Sequence, residues 1–411
     1  MLKSFRVHNF KSFLNFEIQF TRRHLLVGRN NSGKSNLCQA LSFLGQSSFL
    51  DYDKIPLPGG LMGFLHRGYK PRVAEFDCAC ELPWEEGKIT LEYSVHVEMP
   101  DPRTTRVSSA VGPRTVHESL KVVTPGESPA DLLRSDGHSA ETLAHPRLRE
   151  GGSPWAPPVT FVNAPEAGSM LSKLQEHEAD PRIILFKRFL SSFAWYSLSP
   201  ALIRYDWTRS DQPYSPGGHG GLYKHGQNLP FVLHRLKNEN EPSYRRLVKY
   251  VERIEPDLDS INFWPSPDGR PIPYVILKDK TQASWDSMSD GTLSILALAL
   301  LFIMAELTTE ALPGWPPPFI MVEEPENSLY RGELRAIWED LAAVAPQAQF
   351  IFTSHSPYFV DLFDRDLESV TKLKKEGGVT TAKPLTLFRD RIAAYRDDFS
   401  LGELYYKDLF E

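Results

Sequence analysis

The alternation of apolar and polar positions is most regular in the N-terminal quarter of the chain. Four segments alternate with a period of two: 2–7, 16–20, 73–82 and 89–99. This period is typical of strands that bury one face of a sheet. Polar breaks around 9–12 and 83–87 separate the segments within each pair, so the sequence predicts two antiparallel hairpins.

Continuous apolar runs replace this alternation elsewhere and predict buried elements. Short runs at 25–27, 319–322 and 350–352 predict buried strands, whereas 36–44 spaces its apolar residues as a helix does. The longest run, 293–305, is too short to span a bilayer, so we interpret it as a buried helix. Further helices are predicted at 169–177, 181–193, 228–237 and 242–254.

Proline distribution sets the segment 100–160 apart from the rest. It contains nine prolines, at positions 100, 102, 113, 125, 129, 146, 154, 157 and 158. Because proline lacks a backbone N–H and fixes φ, we predict a partly irregular insertion here. The predicted organisation is the N-terminal part of one domain at 1–99, an insertion at 100–280 that is first proline-rich and then helical, and the C-terminal part of the same domain at 281–411.

Composition and charge narrow the class of protein. Of 411 residues, 41% are hydrophobic and 24% are charged, as in ordinary globular proteins. The formal net charge of -6 excludes a strongly basic nucleic-acid binder, so contact with DNA or RNA would need a local patch or a partner. Cys38, Cys78 and Cys80 make neither a disulfide framework nor a four-ligand zinc site, and reduced thiols predict a cytoplasmic location.

Residues 28–35 read GRNNSGKS and match the phosphate-binding pattern G-x-x-x-x-G-K-[ST]. A strand before the loop and a helix after it would surround one point with backbone N–H groups, which favour negative charge. We expect the Lys34 ammonium to contact the β- and γ-phosphates and the Ser35 hydroxyl to bind Mg²⁺. The predicted nucleotide-binding residues of the loop are Gly28, Arg29, Asn30, Asn31, Ser32, Gly33, Lys34, Ser35 and Asn36. A chance match, the alternative, arises in about one in a hundred unrelated chains of this length.

Two carboxylates, Glu323 and Glu324, follow the predicted strand at 319–322 directly. The C-terminal end of a strand beside a phosphate loop is where Mg²⁺ and an attacking water are handled. We expect Glu323 to hold the metal through water and Glu324 to polarise the water that attacks the γ-phosphate. The alternative is an acidic surface turn, which a buried strand running straight into paired charges disfavours.

Two further candidate sites lie in the last third of the chain. His355 follows the third predicted strand within the segment TSHSP, where it would sense the γ-phosphate; the alternative is a structural histidine. Ser289, Asp290 and Gly291 stand just before the long apolar helix. A serine or aspartate caps a helix and glycine permits close backbone approach, so a simple helix cap is the alternative to a nucleotide contact.

Taken together, these motifs resemble the head of ABC-type ATPases, in the branch that contains SMC proteins, RecF and the OLD-family ATPases. The segments FRVHNFKSF, LLVGRNNSGKSNL, SDGTL, IMVEEPEN and TSHSP follow the order of that branch and cover nearly the whole chain. The resemblance implies an α/β fold, a P-loop ATPase head with a mixed sheet, an antiparallel β subdomain and a helical or irregular insertion. It implies ATP and Mg²⁺ as cofactors.

The resemblance also implies roles for single residues. Ser289, Asp290 and Gly291 would be the signature motif, which contacts ATP bound to another protomer, and His355 would be a switch residue next to a D-loop near Asn327. Two copies would sandwich two ATP molecules, which implies a homodimer or higher homo-oligomer. Glu323 departs from the usual aspartate, and no glutamine loop can be assigned. The segment KHGQNL at 224–229 resembles a G-x-N-L segment of these ATPases and is assigned no chemistry.

Length restricts what else the chain could carry. Only 56 residues follow His355, too few for the Toprim nuclease of OLD enzymes, and the proline-rich segment does not predict a coiled-coil arm. This arrangement resembles the ATPase subunits of bacterial anti-phage systems such as Septu, which work with a separately encoded nuclease. We therefore expect a cytoplasmic ATPase subunit that regulates a nuclease or other effector, with DNA or RNA as a further candidate partner and no membrane. The alternatives are a RecF-like DNA repair ATPase and the ATPase subunit of a membrane transporter.

Overall fold

The computed structural model divides the chain into two compact units. It describes residues 1–56, 60, 63–101, 112–144, 159–160, 168–205, 221–253, 255–267, 270–312 and 314–409. Unit 1 comprises Met1–Phe193, Leu312–Phe319 and Glu368–Leu387, and unit 2 comprises Ala194–Ala311, Ile320–Leu367 and Phe388–Glu411. The division predicted from composition, at 1–99, 100–280 and 281–411, stays a prediction.

The strands and helices are defined by the following bounds. The strands are β1 (Leu2–Phe10), β2 (Phe13–Gln19), β3 (Arg23–Val27), β4 (Val73–Trp84), β5 (Gly87–Glu98), β6 (Arg114–Val123), β7 (Ala130–Ser135), β8 (Ser139–Thr142), β9 (Val159–Thr160), β10 (Phe193–Tyr196), β11 (Leu258–Pro265), β12 (Pro271–Leu277), β13 (Gln282–Ser284), β14 (Phe319–Glu323), β15 (Gln349–Ser354), β16 (Val370–Glu376) and β17 (Val379–Pro384). The helices are α1 (Lys34–Ser47), α2 (Met170–Lys173), α3 (Pro181–Ser191), α4 (Pro200–Tyr205), α5 (Leu229–Glu239), α6 (Glu241–Val251), α7 (Asp290–Ala311), α8 (Arg331–Val344), α9 (Pro357–Val360), α10 (Arg389–Tyr395) and α11 (Leu401–Tyr406).

Unit 1 contains an antiparallel sheet in the order β2-β1-β4-β5-β6-β7-β8-β9. Both predicted hairpins are confirmed: β1 pairs with β2, and β4 pairs with β5. Lys11 and Glu85 provide the left-handed residues of the two turns, each with φ of 49°. Alternate residues of β4, including the free thiols of Cys78 and Cys80, are buried, so the period-two pattern marked the buried face.

The segment 100–160, predicted to be a partly irregular insertion, contains more regular strand than expected in the part that the structure describes. Strands β6, β7 and β8 occupy residues 114–142 and continue the antiparallel sheet. Pro113 precedes β6, and Pro125 and Pro129 lie in the connection between β6 and β7, where a missing N–H breaks no ladder bond. The prolines at 102, 146, 154, 157 and 158 lie outside the described residues.

A mixed sheet in unit 1 carries the predicted phosphate loop. Strand β3 pairs in parallel with β16, with Leu25 opposite Val370, and β16 pairs antiparallel with β17. Leu25, Leu26 and Val27 are fully buried, as the apolar run predicted. Helix α1 follows β3 after the loop. The α/β fold class with a mixed sheet and an antiparallel subdomain is therefore confirmed.

Unit 2 is built around helix α7. This helix packs against α4, α6 and α8, and Phe302 of α7 stacks on Phe350 of β15 with ring centroids 4.2 Å apart. The helix has 22 residues, longer than the predicted 293–305, and is long and apolar enough by composition to cross a membrane. Because 72% of its most apolar window is buried, it is the core helix that the sequence predicted.

Several other strands and helices differ in their ends from the sequence predictions. Strand β14 lies between β10 and β15, and β11, β12 and β13 form a separate antiparallel sheet. The helices predicted at 228–237 and 242–254 correspond to α5 and α6, with slightly different ends; Ile254 lies outside the described residues. In unit 1, the helix predicted at 169–177 is only the single turn α2.

Candidate functional site

The phosphate loop, residues 28–36, connects β3 to α1 in a conformation that only glycine satisfies at two positions. Gly33 is the N-cap residue of α1 and has a left-handed φ of 107°. At Gly28, a Cβ would lie 2.5 Å from the Leu373 carbonyl oxygen and equally close to the Ser32 hydroxyl. Any side chain at either position would force the backbone to move, so the glycines of the motif are required by geometry.

Two residues outside the loop, Ser12 and Thr380, hold it in place through hydrogen bonds, and sequence reasoning missed both. The Thr380 hydroxyl of β17 lies 2.8 Å from the Ser12 hydroxyl and 3.0 Å from the Ser32 carbonyl oxygen. The Asn36 amide donates to the same Ser12 hydroxyl at 2.8 Å. A Cβ on Gly33 would lie 2.5 Å from the Thr380 hydroxyl. The loop is therefore held in one shape before any ligand binds.

Lys34 is buried in this loop, with 7% of its surface exposed. Its ammonium donates to the carbonyl oxygens of Gly28 at 2.6 Å and Arg29 at 3.2 Å. The Ser32 hydroxyl is also buried and has no hydrogen-bond partner in the described part of the chain. A buried positive charge and an orphaned hydroxyl at a helix N-terminus fit phosphate oxygens.

The outer side of the phosphate loop is exposed to solvent. Arg29, Asn30, Asn31 and Ser35 are exposed, and Asn31 has a left-handed φ of 65°. The Lys375 ammonium donates to the Asn31 side-chain oxygen at 3.5 Å. Ser35, the predicted Mg²⁺ ligand, therefore lies on the solvent-exposed side of the loop.

In unit 2, the carboxylate loop, residues 323–328, brings Glu324 and His355 together. Glu324 has a left-handed φ of 46°, and its backbone N–H donates to the Thr353 carbonyl at 2.8 Å. Its Oε1 lies 3.0 Å from the His355 Nδ1, and its Oε2 accepts from the Asn327 amide at 3.1 Å. Both carboxylate oxygens are thus oriented, while 31% of the Glu324 side chain and 46% of the His355 side chain remain exposed.

A second carboxylate in this loop, Glu326, was not singled out from the sequence. It accepts a hydrogen bond from the Ser354 hydroxyl, which in turn accepts from the Ser356 backbone N–H at 2.9 Å. Its Oε2 is buried without a partner among the described residues. Burial raises the pKa of Glu326, and the Ser354 hydrogen bond opposes that shift. The pair ties the end of β14 to the end of β15.

Glu323 is the last residue of β14 and is half-buried. Among the residues that the structure describes, no group of three or more metal-ligating side chains is assembled.

The Ser289-Asp290-Gly291 turn begins helix α7. The Ser289 hydroxyl accepts from the Thr292 backbone N–H at 3.0 Å, so the helix-cap interpretation is confirmed as local structure. Gly291 approaches the carboxylate loop closely, since a Cβ there would lie 3.0 Å from the Ser328 carbonyl oxygen. Asp290 is exposed and accepts from the Arg204 guanidinium at 2.6 Å, a contact that sequence reasoning did not find.

Two segments of the chain match known ATPase domain families. Residues 172–361 match the family described as "AAA domain, putative AbiEii toxin, Type IV TA system", and residues 1–95 match the "AAA ATPase domain" family. The second match contains the phosphate loop, and the first contains the carboxylate loop and the Ser289-Asp290-Gly291 turn. Each match covers less than half of the chain.

Known proteins resemble the chain in a short stretch of sequence and in fold. A segment of 45 residues is 49% identical to an "ATP/GTP phosphatase" of Helicobacter pylori and spans 11% of this chain and 12% of that protein. A solved SMC head bound to the C-winged helix domain of ScpA covers 93% of this chain and 96% of its own, at 14% identity and a TM-score of 0.50. The SMC head from Thermotoga maritima covers 93% and 98%, at 15% identity and a TM-score of 0.43.

The fold is therefore that of a P-loop ATPase head of the ABC type, as in SMC proteins. The two domain matches identify the chain as an ATPase.

Proposed function

We propose that this chain is the ATP-binding and ATP-hydrolysing subunit of a larger system, which dimerises around ATP and regulates a partner effector. The observation that carries the proposal is the phosphate loop, where the Lys34 ammonium is buried against two carbonyl oxygens at the start of α1. Phosphate oxygens carry full charge, so a triphosphate would bind this ammonium more strongly than the loop carbonyls do.

The phosphate loop would bind the triphosphate, and the predicted metal ligands would hold Mg²⁺. Backbone N–H groups of 28–36 and the orphaned Ser32 hydroxyl would donate to the phosphates. The Ser35 hydroxyl and, through water, the Glu323 carboxylate would hold Mg²⁺. When bound, Mg²⁺ would offset phosphate charge and polarise the γ-phosphate.

Hydrolysis would use Glu324 as the general base. Its carboxylate would take a proton from the attacking water as the water oxygen bonds to the γ-phosphorus and the bond to the β-phosphate oxygen breaks. His355 and Asn327 each contact one oxygen of this carboxylate, which supports their role in orienting it. His355, the first residue after β15, would sense the γ-phosphate.

Dimerisation would complete the site. We propose that Ser289, Asp290 and Gly291 contact ATP held by a second copy, with the N-terminus of α7 directed at its γ-phosphate. The exposure of Ser289 and Asp290 supports this role, because a second copy can contact only residues at the surface. A site built from two copies makes ATP binding and association mutually dependent.

The partner would be a separately encoded nuclease in bacterial anti-phage defence, acting in the cytoplasm. The family matched by residues 172–361 is described as a putative toxin of a toxin–antitoxin system, and such a system has two components, which supports a partner for this chain. The solved SMC head is bound to a domain of ScpA, and by analogy a protein partner would bind this head. The formal net charge of -6 favours such a protein partner over direct binding of DNA or RNA by this chain.

Glu324→Gln tests the ATPase and dimer proposals together. Loss of the base should lower kcat about 10²- to 10⁴-fold while ATP binding survives, so the variant should accumulate as an ATP-bound dimer. The measurements are phosphate release and the mass of the assembly with and without ATP and Mg²⁺. Glu86→Gln, in the exposed turn before β5, is the matched control and should behave as wild type.

Two results would contradict the proposal. One is hydrolysis by Glu324→Gln at the wild-type rate, which would remove Glu324 as the base. The other is a mass that does not respond to ATP in either protein. Co-purification of a nuclease tests the partner, whereas ATP-dependent DNA binding by the isolated chain would replace that role with the RecF-like alternative.

A further inference from the structure

The segment 224–229, which has no place in the chemistry above, forms a closely bonded bend. Its Asn228 accepts from the Tyr223 backbone N–H at 2.6 Å and donates to the Gly221 carbonyl oxygen at 3.1 Å. Gly226 has a left-handed φ of 80°, and a Cβ there would lie 2.9 Å from Ile203. The glycine and the asparagine of the G-x-N-L segment are therefore required by local geometry.

The bend supports one side of helix α4. The Ser199 backbone N–H, just before the helix, donates to the His225 carbonyl oxygen at 3.1 Å. Within the helix, Ile203 is fully buried, and its carbonyl oxygen accepts from the indole N–H of Trp285 at 3.2 Å. Helix α4 is thus fixed between the 224–229 bend and the segment that leads into α7.

The next residue of α4 is Arg204, and its position follows from these anchors. Its Nη2 donates to the Met288 carbonyl oxygen at 2.7 Å and to the Asp290 carboxylate at 2.6 Å. Only 13% of the Arg204 side chain is exposed, compared with 56% for Asp290. The Arg204 Nε is buried and has no hydrogen-bond partner in the described ranges. A mostly buried cation therefore holds an exposed carboxylate at the start of α7.

Charge at this position matters for any anion that approaches α7. The N-terminus of a helix favours negative charge, but Asp290 already places a carboxylate there. An unpaired carboxylate would repel a triphosphate over the same short distance at which the backbone N–H groups attract it. The guanidinium offsets that charge and leaves the backbone donors of the turn available.

We propose that Arg204 is a positioning residue for the Ser289-Asp290-Gly291 turn. It offsets the charge of Asp290 and fixes the turn, so that the turn accepts the nucleotide phosphate presented by a second copy of this chain. This inference rests on the proposed function, since it concerns the ATP that joins two copies. The 224–229 bend serves the same site by holding α4.

Arg204→Ala in the full chain is the first variant to test. We expect the ATP concentration for half-maximal dimerisation, and the KM for hydrolysis, to rise about tenfold. ATP binding by monomer at low protein concentration should stay within about twofold of wild type, because the phosphate loop is unchanged. Arg245→Ala is the matched control: its pair with Glu241 is exposed on both sides, and it should leave dimerisation unchanged.

Asp290→Asn separates charge cancellation from a purely structural role. The double variant Arg204→Ala/Asp290→Asn has no carboxylate whose charge must be offset. The ATP concentration for half-maximal dimerisation should therefore be at least threefold lower than in Arg204→Ala. Added salt should also reduce the defect of Arg204→Ala, because ions screen an exposed carboxylate. Arg204→Lys keeps the charge and should lie between wild type and Arg204→Ala.

The outcomes divide cleanly. Recovery in the double variant supports the inference; a double variant as impaired as Arg204→Ala overturns it and would indicate that the guanidinium contacts phosphate directly. Normal dimerisation by Arg204→Ala also overturns it. If wild-type protein binds ATP but never dimerises, the dimer proposal itself fails and takes this inference with it, which the wild-type measurement alone reveals.

Discussion

The phosphate loop in unit 1 and the carboxylate loop in unit 2 are held in place by different kinds of contact. In the phosphate loop the backbone itself is fixed, by two glycines that leave no room for a Cβ and by hydroxyls of Ser12 and Thr380. In the carboxylate loop the side chains are fixed by one another, as Glu324 is by His355 and Asn327.

The difference predicts how each loop responds to change. A backbone held by steric exclusion fails when any atom is added, whereas a side-chain network loses one contact at a time. We therefore expect substitutions in the phosphate loop to abolish nucleotide binding. Substitutions in the carboxylate loop should leave binding intact and reduce turnover in steps.

Gly33→Ala should have the largest effect. Alanine would take an unfavourable φ of 107° and place its Cβ 2.5 Å from the Thr380 hydroxyl, so ATP affinity should fall at least about a hundredfold. Gly87→Ala is the control, because a Cβ at Gly87 has no neighbour within 4 Å. ATP binding by calorimetry measures both. Wild-type affinity in Gly33→Ala would mean that the loop is not held by steric exclusion.

His355→Ala should reduce kcat about a hundredfold with KM changed less than about threefold. The imidazole orients one oxygen of Glu324, and its loss leaves the carboxylate held by Asn327 alone. Steady-state phosphate release separates the two constants. His138→Ala, at an exposed turn of unit 1, is the control. A rise in KM without loss of kcat would place His355 in binding instead of turnover.

Ser354→Ala should have a smaller effect, a loss in kcat of about tenfold. It removes the hydroxyl that links Glu326 to the Ser356 backbone N–H, so the ends of β14 and β15 lose one connection and Glu324, the proposed base, is less well oriented. Ser356→Ala keeps that backbone N–H and serves as the control. Equal losses in both variants would show that the Ser354 hydroxyl has no special role.

Glu326→Gln should give the smallest effect, seen as a dependence of stability on pH. Because the pKa of Glu326 is raised by burial, the folded protein keeps this proton at pH values where the unfolded chain has lost it. The free energy of unfolding of wild type should therefore fall relative to Glu326→Gln as pH rises above the ordinary carboxyl range. Urea unfolding of both proteins at pH 5 and pH 8 measures this; a difference that does not change with pH would contradict it.

The features that could be predicted well from the sequence depend on residues that are neighbours along the chain. The phosphate loop was predictable because its glycines, lysine and serine stand together between a strand and a helix. The hairpins at β1–β2 and β4–β5 were predictable because the period-two pattern is local. Strands β6 to β8 were missed because prolines were counted over the segment, although those described lie before the strands or between them.

Contacts between distant residues could not be predicted in this way. Ser12 and Thr380 are 368 positions apart, and nothing near either residue signals the other. The Arg204–Asp290 and Ser354–Glu326 pairs likewise depend on how strands and helices pack. The G-x-N-L segment was an indirect signal of the Arg204–Asp290 pair. Its glycine and asparagine had no explanation until the structure showed that helix α4, which carries Arg204, packs on this segment.

The close approach of Gly291 to the Ser328 carbonyl has a mechanical consequence. Because Gly291 has no side chain, the main chain at the start of α7 lies close to the main chain at the end of the carboxylate loop. A displacement of the carboxylate loop, which carries the proposed base, would therefore shift the Ser289-Asp290-Gly291 turn, which we propose contacts a second copy.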